Sequence, residues 1–211
     1  MSPLHRRARR PGRPRKPIPR AAFLDAARKA FAEDGYGATS IERIAAGVGV
    51  TKASLLHHFG SKEELYRLTL TEIADDLGRL VVDAIIEPGT FFERLDRLGE
   101  RVVRYLAAHP QSARLLVREL VDGGPFLARD GAALVFRALD ATKALLRSGI
   151  ESGDVVAQDP GDLAGSIVSL HLLWFASTTI ATRLSSATGS NAVEQRVREV
   201  QAQVRRLCGA P

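Results

Sequence analysis

Residues 39–65 read TSIERIAAGVGVTKASLLHHFGSKEEL. Two short segments with apolar residues at helical spacing, about 40–46 and 52–59, flank the sequence GVGV at 47–50. Thr39 with Glu42 predicts a capping box at the start of the first segment. Thr51 caps the second, Gly60 stops it, and Ser61 with Glu64 predicts another box beyond. Ile41, Ile44, Ala45, Val50, Leu55 and Phe59 are placed to hold these helices together and against a helix upstream. Two short helices across a glycine-containing turn form a helix-turn-helix, whose second helix lies in the major groove of DNA. Thr51, Ala53 and Ser54 are small enough to let the start of that helix approach base edges, and Lys52 adds a cation there.

Outward from this unit the pattern stays helical. A helix over about 20–34 puts Phe23, Leu24, Ala27, Ala30 and Phe31 on one face and ends at Gly35. Downstream, Tyr66, Leu70, Ile73, Leu77, Val81 and Ala84 mark a long helix stopped by Pro88-Gly89. Further runs follow over 91–108, 111–121, a stretch centred on Leu139 and ended by Gly153, then 162–185 and 192–208. No alternating strand pattern interrupts them. The expected fold is all-α with about nine helices. A basic arm over 1–19 precedes a helix-turn-helix domain over 20–66, and a helical ligand-sensing and dimerisation domain fills 67–211.

The segments FAEDGYGATS at 31–40 and IAAGVGVTKASLLHHFGSKEEL at 44–65 resemble the N-terminal domain of the TetR family of one-component regulators. The resemblance implies a homodimer that binds an operator in double-stranded DNA and releases it when a small molecule enters the C-terminal domain. It assigns base reading to Thr51, Lys52, Ala53 and Ser54. It places His57 and His58 at base or backbone contacts, although His58 could equally pack beneath its helix. Thr39, Ser40 and Lys62 fall at phosphate-binding helix starts, where free N–H groups and the helix dipole favour anions. Leu56 departs from the family, whose members often carry an aromatic residue there that donates to a phosphate.

Charge is unevenly spread. The chain carries +6, while residues 1–20 hold eight cations and no acid, so the remainder is net −2. The arm contains RPGRPRK at 10–16, which resembles an AT-hook core. Its prolines keep it extended, so Arg13 and Arg15 either enter an A·T-rich minor groove or form a basic tail of nonspecific affinity. No apolar stretch follows the N-terminal charges, so no secretory signal is expected. A lone Cys208 excludes an intramolecular disulfide and argues against a cysteine metal cluster. Adjacent His57 and His58 do not make a metal site, and no cofactor motif is present. Residues 163–182 lack charge but carry several Ser, Thr and His residues, which favours a buried helix over a membrane span. The expected location is the cytoplasm, at the nucleoid.

Val193, Val197, Val200, Val204 and Leu207 are spaced 4, 3, 4, 3. This stripe fits a dimer bundle formed with the uncharged helix over 162–185; an intramolecular core face is the other reading. Candidates to line an effector pocket are Phe92, Leu116, Phe136, His171, Trp174 and Phe175, with a weak lean toward an apolar effector. Catalytic Ser/His/Asp sets, phosphate-cradling glycine loops and HExxH are not found, so an enzyme is not expected. The competing reading is a nucleoid or scaffold protein whose C-terminal part binds a protein partner.

Overall fold

The structure is a computed structural model that describes residues 18–129, 131–177, 183 and 190–209. Its described elements are helices α1 (Arg20–Ala38), α2 (Ile41–Gly47), α3 (Lys52–Phe59), α4 (Lys62–Ile86), α5 (Phe91–Ala108), α6 (Pro110–Asp122), α7 (Gly131–Glu151), α8 (Pro160–Ala176) and α9 (Ser190–Leu207). The helix expected over 162–185 therefore spans Pro160–Ala176. Of its remainder only Ser177 and Arg183 fall among the described residues, and Arg13 and Arg15 of the arm lie outside them. No described helix is long and apolar enough to cross a membrane.

Local chemistry sets the helix ends. Gly35 adopts φ 81°, a left-handed conformation that kinks α1 where the sequence predicts a stop. Ser40, not Thr39, caps α2: its Oγ accepts from the Arg43 N–H at 3.1 Å. Thr39 is only 2% exposed, and its hydroxyl donates back to the carbonyls of Ala30 and Gly35. It locks the α1–α2 corner from inside and faces no phosphate. Ser61 caps α4, but Glu64 pairs with Arg67 instead of reaching back, so the expected box is half made. A complete capping box does occur at Thr90 and Glu93, opening α5.

Two apolar clusters organise the molecule. The first joins α1, α2, α3 and the first half of α4 through Phe23, Phe31, Ile44, Leu55, Phe59 and Leu70, and it also takes in Leu115 and Leu116 of α6 and Phe126. The second joins the far half of α4 to α5, α7, α8 and α9. Since α4 runs unbroken through both, no loop separates them. Arg28, 6% exposed, reinforces the junction by donating to Glu72 on α4 at 2.7 Å and lying 3.3 Å from Nδ1 of His109 at the α5–α6 corner.

The valine stripe of α9 belongs to this second cluster. Val197, Val200 and Val204 are 6%, 0% and 5% exposed within the single subunit, packed on α5 and α8, with Val193 half-buried beside them. Leu207 lies off the stripe, 38% exposed. The flanking charges pair inward as well, Arg104 with Glu194 at 2.8 Å and Arg205 with Asp96 at 2.5 Å. The expected dimer stripe is thus an intramolecular core face. A heptad spacing reports an apolar helix face, and α5 and α8 cover it before any second chain can. Replacing both Val197 and Val204 by glutamate buries two unpaired carboxylates and costs about 5 kcal/mol or more, comparable to the whole stability of an ordinary domain. The expected outcome is loss of a cooperative thermal transition by circular dichroism; a folded monomer would contradict this packing.

Candidate nucleic-acid interface and interior cavity

The second helix of the motif is anchored along one side and open along the other. Leu55 is fully buried and Phe59 nearly so, which fixes α3 against α1 and α2. Gly49 takes φ 72° in the α2–α3 turn, a conformation that costs glycine little and lets the chain reverse within four residues. Thr51 then caps α3, accepting from the Ser54 N–H at 3.2 Å. With the inner side occupied, Thr51, Lys52 and Ala53 are exposed and Ser54 is half-buried at the helix start. Helix N-termini carry free N–H groups and partial positive charge, which suits this end to an anionic partner.

Neighbouring residues tune that surface. Lys52 Nζ lies 2.7 Å from a carboxylate oxygen of Glu42 on α2, which holds the Glu42 carboxyl below its usual range. Sequence reading assigned Glu42 to a capping box with Thr39; the structure pairs it with Lys52 instead. Both partners are solvent-exposed, so the pair is weak and Lys52 can be drawn to a phosphate. Ser40 is exposed at the start of α2. Lys62 donates to the Gly37 carbonyl at 3.2 Å and sits 4.6 Å from the Tyr36 ring centre, fastening α4 to the α1–α2 corner. His57 and His58 are both exposed at the end of α3, and the His58 ring also tilts against Phe23 at 5.2 Å. Leu56 packs half-buried on the first cluster, so it takes an inward role at the position where an aromatic donor was expected from the resemblance.

Behind this unit lies a cavity of about 180 Å³, partly open to solvent and lined by α4, α5, α6, α7 and α8, Val204 of α9 and the segment after α6. Its walls are almost wholly apolar, among them Leu77, Leu98, Leu106, Phe126, Leu139 and Ile167; the polar lining side chains are Glu119, Thr142 and His171. Of the six expected lining residues, Leu116 and His171 face this cavity. The other four do not. Phe136 is 58% exposed on α7. Phe92 lies under the Arg205 guanidinium at 4.9 Å, Trp174 under that of Arg196 at 4.1 Å, and Phe175 packs against the second cluster. Aromatic size identifies core-forming residues but not the direction in which each points, and helix rotation decides that.

Glu119 on α6 is the residue that sequence reading missed. It is 3% exposed, lines the cavity, and accepts from the Tyr66 hydroxyl at 2.5 Å and the Leu127 N–H at 2.8 Å. Burial and this carboxylate together push the Tyr66 phenol well above its usual range, so Tyr66 stays a donor. No cluster of His, Cys, Asp and Glu suited to a metal occurs among the described residues.

If the start of α3 reads base edges, Lys52→Ala lowers affinity for a selected DNA duplex and reduces the slope of log K against log salt by about 1. Ser54→Ala relaxes preference at one base pair by about 1–3 kcal/mol. Fluorescence anisotropy against salt and against single-base variants measures both; unchanged affinity and specificity in the two variants would place base reading elsewhere.

Comparison with known proteins agrees with the fold and the helix-turn-helix. Residues 23–69, which span most of α1 and all of α2 and α3, match the family described as bacterial regulatory proteins, tetR family. The HTH-type transcriptional regulator RutR of Escherichia coli K12 is 31% identical over 176 residues, 80% of this chain and 78% of its own. The TetR family regulator PfmR from Thermus thermophilus superposes with a TM-score of 0.70 at 26% identity, covering 89% of this chain and 97% of that one. AibR, solved in complex with isovaleryl coenzyme A and operator DNA, shares the fold at 20% identity and a TM-score of 0.70, covering 90% and 98%. This chain belongs to the TetR family of bacterial regulatory proteins and is a DNA-binding transcriptional regulator.

Proposed function

We propose that the cavity is the effector site of this regulator and that Glu119 is the joint through which its occupancy reaches the DNA-reading helices. The observation that carries this reading is the double role of one side chain. Glu119 forms part of the cavity wall and also accepts the hydroxyl of Tyr66, on the α4 turn next to the helix-turn-helix. An occupant that displaces α6 must stretch or redirect that bond. The Arg118 guanidinium, reaching the Glu33 carbonyl on α1 at 3.3 Å, moves with it. Residues 20–66 act as the reading head and 67–211 as the sensing body, with Thr51, Lys52, Ala53 and Ser54 facing the bases. The regulator works in the cytoplasm, at the nucleoid.

Two heads act together on a near-palindrome, with half-sites about 34–36 Å apart. With the α9 stripe consumed inside the subunit, the surface that fits a two-fold partner is the outer face of α8. Its inner face buries Leu163, Ala164, Ile167 and His171, while Gly165, Ser166, Ser169 and Leu173 are exposed. These small, uncharged residues allow a second helix close approach, and Leu173 is left 60% exposed on the single chain. Light scattering on Leu173→Glu is expected to give a folded monomer with at least tenfold weaker operator binding; an intact dimer would move the interface off α8.

Filling the cavity by mutation mimics an occupant. Ala138→Phe, from a lining position on α7, is expected to lower operator affinity at least tenfold while the chain remains folded. Adding Tyr66→Phe, which removes the hydroxyl that Glu119 holds, should recover most of that loss. Anisotropy titrations of the single and double variants form the test. A folded Ala138→Phe protein that binds its operator like the parent would sever the cavity from the head.

A further inference from the structure

The three polar side chains in the cavity wall share one property: each has its hydrogen already committed, or has none to give. His171 is 6% exposed, and its Nδ1 lies 2.7 Å from the Ile167 carbonyl oxygen. A carbonyl only accepts, so Nδ1 carries the proton, and in the neutral ring Nε2 then presents a lone pair. That Nε2 is buried without a protein partner. Thr142 spends its hydroxyl proton on the Ala138 carbonyl at 2.9 Å. Glu119 is an acceptor already, holding Tyr66 and the Leu127 N–H. The wall therefore offers acceptors and apolar surface.

Space at Nε2 comes from α5. Gly99 lies beside that nitrogen: an added Cβ there would stand 4.0 Å from Nε2, and Gly99 itself lines the cavity. A side chain larger than glycine there would crowd the space beside Nε2. The nitrogen is closed to a water-sized sphere, so a slight widening of the α5–α8 gap admits a partner, and a buried acceptor otherwise left unpaired favours that widening.

We infer that the effector is an uncharged, largely apolar molecule of about one ring that donates a hydroxyl or N–H hydrogen bond to Nε2 of His171, and that free carboxylates are excluded. This rests on the cavity being the effector site. The size follows from the volume: a cavity of about 150 Å³ holds benzene, and this one is about 180 Å³. The exclusion follows from charge. A carboxylate would need a proton on Nε2, making the ring cationic, which both burial and the nearby Arg196 guanidinium oppose. It would also meet the Glu119 carboxylate across an apolar space.

Isothermal titration calorimetry on the full-length protein with 4-ethylphenol, its methyl ether and 4-ethylbenzoate separates these possibilities. The phenol is expected to bind at least tenfold tighter than either of the others. In His171→Phe, which keeps a ring but no acceptor, the phenol and the ether should bind alike. Gly99→Ala, which sets a methyl group 4.0 Å from Nε2, should shrink the phenol's advantage without altering the ether and serves if the phenylalanine variant does not fold. Tightest binding by the benzoate, or an undiminished phenol preference in both variants, would overturn the inference. Equal binding of all three probes would overturn it while leaving the cavity as effector site. No binding by any of them would remove both.

Discussion

Glu119 is a carboxylate buried between two parts of the molecule that have different work to do. Taking such a group out of water costs several kcal/mol unless its oxygens are matched by donors. Here both oxygens are matched, one by Tyr66 from the end of the reading head and one by the backbone of Leu127 after α6. Gly124 leaves the room the carboxylate needs, since a Cβ there would overlap Oε2. The helices α4 and α6 and the turn after α6 must therefore keep one mutual register. A shift of any of them leaves a buried acceptor short of its donor, which makes the arrangement all-or-none and suits a two-state response.

The first apolar cluster extends that constraint to the helix-turn-helix. Leu115 and Leu116 of α6 pack into the same cluster as Phe23, Phe31 and Phe59, so the position of α6 is felt by the helices that carry Thr51 to Ser54. Arg28 and Arg118 add polar ties across the same boundary. The cavity adjoins the same cluster, with Leu116 and Phe126 in its wall, and reaches α7 and α8. If the cavity takes the effector, α6 borders both it and the helix-turn-helix, and coupling needs no longer path than that one helix.

Polar groups in the cavity wall would set the selectivity of the proposed effector site. A mostly apolar space discriminates size coarsely, whereas an unpaired buried polar atom discriminates sharply, because the wrong ligand leaves it unsatisfied. His171 supplies such an atom, and its hydrogen-bonding sense is set one helical turn away by the Ile167 carbonyl.

Local pattern was enough to determine the all-α fold, the ends of α3 and α5, and the helix-turn-helix, because caps, glycine stops and apolar spacing act within a few residues. The placement of Thr51, Lys52, Ala53 and Ser54 at the outward start of α3 was legible for the same reason: a cap and a buried Leu55 define which way a short helix faces. Tertiary structure decided what those local rules leave open. Two hydroxyl residues stand before α2, and only packing shows that Thr39 turns inward while Ser40 caps. The valine stripe of α9 reads the same whether a neighbour or a second copy covers it, and α5 and α8 cover it. Phe92, Phe136, Trp174 and Phe175 are apolar enough for a pocket, yet helix rotation turns them elsewhere. Glu119 looks like a surface charge in sequence, since nothing within several residues of it reveals that Tyr66, 53 positions away, supplies its donor. Periodicity reports that a face is apolar or polar; the partner of that face is set by contacts distant along the chain.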